Sequence, residues 1–114
     1  MKIIHRKRNF GKTMELIKYS SQTGYYIVCM RNNIDSVVEL AKRFNYTIPY
    51  PLSYYEFLNI SDKNIKFLID DIEYLLLRIN PEIKGFTCTE EENNEDEDIF
   101  LDKEYLYQST FIFE

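Results

Sequence analysis

The chain predicts a three-layer α/β fold with a mainly parallel sheet. Two observations carry this. Strand-like and helical segments alternate from the start of the chain to about residue 89, the rhythm of a sheet flanked by helices. One segment, Tyr25–Met30, is a continuous apolar run rather than an alternating one, which suits a strand covered on both faces. No internal repeat is visible.

Lys2-Ile3-Ile4-His5 reads as a very short first strand, and Arg6 to Lys12 as a loop. Thr13 to Gln22 is helical, with Met14, Leu16 and Ile17 apolar and Gly24 as its stop. Tyr25–Met30 is the second strand. Asn33 or Asp35 can cap the next helix, Ile34 to Phe44, in which Val37, Val38, Leu40, Ala41 and Phe44 follow helical spacing. Pro49 and Pro51 break the chain. Ser53 then caps a short helix, with Glu56 three residues on completing a capping box. Ile65–Ile69 is the third strand. Ile72–Ile79 is helical, carries Leu75, Leu76 and Leu77, and ends before Pro81. Ile83–Thr89 reads as a fourth strand, and Glu104–Phe113 as a last one that can run antiparallel at an edge.

A chain of 114 residues is expected to form one domain. The expected organisation is an α/β domain over residues 1–89, an acidic loop over 90–98, and a C-terminal aromatic strand over 99–114 packed on the same domain. The net charge of −5 hides an asymmetry. From Glu90 onward ten acidic residues face one Lys, a net of −9, whereas the preceding part has nine acidic and thirteen basic residues, a net of +4. The acidic segment is either a solvated loop or an interaction surface. Cys29 and Cys88 lie in strand-like runs, and with one His in the chain they lack metal-ligand spacing, so zinc is not expected and buried reduced thiols are. The basic start is not followed by an apolar run of signal-peptide length, and no membrane span is evident, so a cytoplasmic location is the expectation.

The chemistry concentrates in two segments. Arg6-Lys7-Arg8-Asn9-Phe10-Gly11-Lys12-Thr13 precedes a helix, and Ile65–Ile69 ends in Asp70-Asp71. A phosphate-binding loop needs an unhindered backbone whose N–H groups converge on phosphate, a Lys to bridge phosphates, and a hydroxyl in the first helical turn to hold magnesium. Gly11, Lys12 and Thr13 supply these, with Asn9 and Phe10 completing the loop. The helix that follows adds the positive end of its dipole. Asp70, leaving a strand at its C-terminal end, faces the crevice where open α/β sheets bind ligands and is a second magnesium ligand, through water. Asp71 or Glu73 is placed to orient an attacking water. Each has a plainer reading. Asp70-Asp71 suits a helix N-terminus, Lys12 a solvated helix position, and Arg6-Lys7-Arg8 a solvated basic turn. Stacking aromatics other than Phe10 are not interleaved with the basic run, so direct nucleic-acid binding is not expected.

This arrangement resembles the P-loop NTPase superfamily, with Arg6–Thr13 as a degenerate Walker A and Phe67–Asp71 as Walker B. It is similar in particular to the very small P-loop proteins of bacteriophages and mobile elements. The resemblance covers residues 1 to about 89. It implies a minimal P-loop-like fold, ATP or another nucleoside triphosphate with Mg2+ as cofactors, Lys12 as the phosphate lysine, Thr13 as a metal ligand and Asp70 as the Walker B acid. Asp71 holds a position that is often Glu in active ATPases. Arg6 stands where the pattern has Gly, and there is no room for a lid domain. No arginine finger can be assigned, Arg31 and Arg78 being the available residues. Nucleotide binding with weak or absent hydrolysis is therefore the expectation.

A non-enzymatic role competes with it. Seven carboxylates within Glu90–Asp98 form a strip that could mimic a nucleic-acid backbone and bind a host nucleic-acid or defence protein, as a phage-type inhibitor does. In a third arrangement the strip folds back over the basic loop and blocks the site.

Overall fold

The computed structural model describes residues 1, 3–5, 11–89 and 100–101. Its contacts divide the chain into two units, Thr13–Pro81 and a second formed by Met1–Lys12 with Glu82–Glu114.

The first unit is mixed helix and strand around a small parallel sheet. Its sheet has three strands: β2 (Tyr26–Cys29) at the centre, β3 (Leu52–Ser53) on one side and β4 (Phe67–Ile69) on the other. Both pairings are parallel, with Val28 opposite Leu52 and Ile69, and Cys29 opposite Ser53. Ile27, Val28 and Cys29 of the central strand are all fully buried, as a continuous apolar run demands. Successive side chains point to opposite faces. Ile27 and Cys29 therefore enter one core with Ile17, Ile34, Val37 and Ala41, drawn from α1 (Lys12–Thr23) and α2 (Ile34–Arg43). Val28 enters the other with Tyr54 of α3 (Tyr54–Leu58) and Leu75 of α4 (Ile72–Ile79). Two helices thus pack on each face of the sheet. Burying one such aliphatic side chain is worth about 1.5–3 kcal/mol.

Local chemistry sets the helix ends. α1 stops at Gly24, whose φ of +79° is the left-handed conformation glycine adopts without strain and whose N–H donates to the Ser20 carbonyl at 2.7 Å. Buried Ser20 donates its hydroxyl to the Tyr25 carbonyl at 2.6 Å and ties that turn to the entry of β2. Asn45, at φ +62°, does the same work after α2, and the Tyr46 N–H reaches back to the Ala41 carbonyl at 2.8 Å. The capping box of α3 is formed as expected: the Glu56 N–H donates to Ser53 Oγ at 3.1 Å, and the Ser53 N–H to Glu56 Oε1 at 2.9 Å. Asn33 occupies the N-cap position of α2, but its side chain makes no capping hydrogen bond.

The second unit holds β1 (Ile4–His5) and β5 (Phe100–Leu101), paired in parallel as a separate two-stranded sheet. The strand expected over Ile83–Thr89 does not form. Gly85 interrupts that run, and its residues after Ile83 are exposed, so it lacks the covered face that stabilises a strand. Cys88 is accordingly exposed rather than buried. The expected acidic loop 90–98 and the strand Glu104–Phe113 lie outside the described residues. Among the described residues no helix is long and apolar enough to cross a membrane.

Candidate functional site

The parallel register of β2 and β4 brings two carboxylates to the C-terminal edge of the sheet. The Asp70 N–H donates to the Val28 carbonyl at 2.8 Å, which prolongs the β2–β4 ladder to the last residue before the turn. Asp70 is only 5% exposed, an unusual burial for a carboxylate without compensating hydrogen bonds. One of those bonds comes from Thr13: its Oγ1 donates to Asp70 Oδ2 at 3.0 Å. Thr13 is the second residue of α1, so the first turn of that helix meets the end of β4 across 57 residues of sequence.

The Asp70-Asp71 turn is held from a third direction. The Tyr54 hydroxyl donates to the Asp70 carbonyl at 2.7 Å and lies 3.1 Å from that of Asp71. Tyr54 is buried as the first residue of α3. Asp71 itself adopts φ 58°, ψ 64°, the left-handed region that Asp tolerates better than most residues. It sits at the N-cap of α4 without a side-chain capping bond, and its carbonyl accepts the Tyr74 N–H at 2.9 Å. The turn therefore does not use Asp71 as an ordinary cap. Glu73 is exposed on the first turn of α4.

The edge carries a negative field. Burial pushes the Cys29 thiol up to about 12, and the charges of Asp70 and Asp71 add to the shift. The Tyr54 phenol moves the same way, first through burial and then through Asp71 and Asp70. Both groups stay protonated at neutral pH: Cys29 is no nucleophile, and Tyr54 remains a hydrogen-bond donor.

Gly11, immediately before α1, has a φ of +81°. A Cβ there would meet no atom within 4 Å, so it is the backbone conformation rather than space that calls for glycine. Lys12 opens α1 one residue earlier than the sequence predicts. Arg6, Lys7, Arg8, Asn9 and Phe10 lie outside the described residues. Thr13, Asp70 and Asp71 are thus brought to one edge within the first unit, with Glu73 exposed beyond the turn. Sequence reading missed Tyr54. Its signal was the capping box, which fixes Tyr54 at the first helical position just past a sheet strand.

Among the described residues no group of three or more His, Cys, Asp or Glu side chains could hold a metal ion. What the edge holds is one hydroxyl, of Thr13, against one buried carboxylate, of Asp70. Comparison of the chain with protein families, curated proteins and solved structures returns no match.

Proposed function

We propose that the chain binds a nucleoside triphosphate with magnesium, on a P-loop-like fold, with slow or no hydrolysis. The observation that carries this reading is the hydrogen bond from Thr13 to Asp70. A helix-opening Gly-Lys-Thr and a strand-ending Asp are separate motifs in sequence, and chance gives no reason for their side chains to touch. The positive φ of Gly11 supports it, as a loop that presents backbone N–H groups needs such freedom. In this reading Thr13 and Asp70 hold magnesium, which neutralises phosphate charge when bound. Lys12, one residue before Thr13 in the chain, is the phosphate lysine of this reading, and Gly11, Asn9 and Phe10 are its neighbours in sequence. Asp71, next to Asp70 on a left-handed backbone, or Glu73 in the first turn of α4, is the residue to orient water.

The test is thermal melting of the full chain with and without ATP and magnesium, beside a Lys12→Ala variant. At a ligand concentration one hundred times the dissociation constant the fold should gain about 2.7 kcal/mol, and the variant should lose that gain. Failure of ATP, GTP and ADP alike to shift melting of the parent would overturn the reading.

A further inference from the structure

A second feature lies on the same edge of the first unit, shares Tyr54 with the Asp70-Asp71 turn, and otherwise uses different side chains. An open crevice of about 1160 Å³ runs from the end of β2 to α3 and α4. Arg31 enters it from the 3-10 turn Arg31–Asn33, and Arg78 from α4. Neither guanidinium has an ion-pair or hydrogen-bond partner among the described residues. The one carboxylate in the lining, Glu56, is engaged by the Ser53 N–H. Asp70 and Asp71 are not part of the lining. The crevice is therefore locally cationic in a chain of net charge −5.

Its other walls combine tyrosines with Met30, Ile34 and Leu77. Tyr55 and Tyr74 are 67% and 39% exposed, so ring surface is available for stacking. Tyr74, Leu77 and Arg78 recur at i, i+3 and i+4 along α4 and so share one face of the helix. Asn32 adds an amide that can both donate and accept. Guanidinium forks match phosphate geometry, and two of them suit a terminal phosphate of nearly two charges. Tyrosine faces suit a planar heterocycle.

We propose that this crevice binds a nucleoside monophosphate, with Arg31 and Arg78 on the phosphate and Tyr55 and Tyr74 flanking the base. A nucleic-acid strand would require a longer cationic track than two arginines provide. The proposal does not depend on Thr13, Asp70 or magnesium.

The test is calorimetric titration of the full chain with AMP, GMP, CMP and UMP in metal-free buffer containing EDTA. Removing magnesium silences the triphosphate reading and leaves this one intact, so either can fail alone. At least one monophosphate should bind, and Arg31→Gln and Arg78→Gln should each weaken it tenfold or more. Inorganic phosphate or the free nucleoside alone should bind at least tenfold more weakly than the monophosphate. Because Arg78 lies in a helix that also packs the core, Arg31→Gln and Tyr55→Leu are read in parallel. Circular dichroism melts confirm that each variant is folded. No binding by any of the four, or binding that the folded variants leave unchanged, overturns the proposal. So does tighter binding of a dodecathymidylate, which would make the crevice a strand-binding groove.

Discussion

The hydroxyl of Thr13 donates to the carboxylate of Asp70 at 3.0 Å, joining the first turn of α1 to the end of β4. The bond does two things. It partly compensates the burial of a carboxylate that is 5% exposed, and it places a hydroxyl and a carboxylate oxygen side by side.

Thr13→Val keeps the shape of the side chain and deletes the donor. Hydrogen bonds to charged groups contribute about 1.5–3 kcal/mol, so urea unfolding should show a loss of that order. Thr13→Ser should restore most of it. The valine variant should also lose any stabilisation by ATP and magnesium. A valine variant as stable as the parent would show that Asp70 gains nothing from Thr13.

Tyr54→Phe removes the hydroxyl that holds the Asp70 and Asp71 carbonyls and leaves the ring in its core. Leaving buried carbonyls short of a donor costs about 1–3 kcal/mol. Amide hydrogen exchange should accelerate at Tyr74, whose N–H bonds the Asp71 carbonyl, more than at residues of β2. Uniform acceleration across the unit would mean that Tyr54 contributes only to global stability.

Asp71 separates backbone demand from side-chain chemistry. Asp71→Asn tolerates the left-handed backbone and should change stability little, whereas β-branched Asp71→Val should lose about 1–2 kcal/mol. Any nucleotide hydrolysis should fall in the Asn variant although its melting temperature holds. Equal turnover in Asn and parent would remove Asp71 from the water-orienting role.

Stability should decline at alkaline pH. The Cys29 thiol has an ordinary value of 9.0 and is pushed up to about 12 in the fold. Below about pH 9 the thiol is neutral in both states and the stability linked to its proton is fully present. Above that the unfolded thiol ionises while the folded one does not, so stability is lost progressively until about pH 12. The slope from one such group reaches about 1.4 kcal/mol per pH unit. Tyr54 acts in the same direction, beginning about one unit higher, from its ordinary 10.0. Urea midpoints measured from pH 7 to 11 should fall less steeply in Cys29→Ala than in the parent. Parallel curves would assign the alkaline loss elsewhere.

What the sequence determined by itself is local. The bounds of α4 follow from its helical spacing and from Pro81 beyond it. The start of α3 follows from Ser53 and Glu56, and the end of α1 from Gly24. Each is decided within about four residues, by a cap, a spacing or a glycine. The burial of β2 was legible because a continuous apolar run has no solvent side. Tertiary structure decided the rest. Leu52–Ser53 is a strand only because Val28 and Cys29 offer it a partner, although fully buried Pro51 precedes it and reads as a break. Ile83–Thr89 has strand-like residues and no covered face. Sequence marks Gly11-Lys12-Thr13 and Asp70-Asp71 as separate segments, but not the contact of Thr13 with Asp70, nor the tyrosine that holds the Asp70-Asp71 turn. Strand pairing and hydrogen bonds between residues 16 or 57 apart depend on which elements share an edge, and a chain's local preferences do not contain that information.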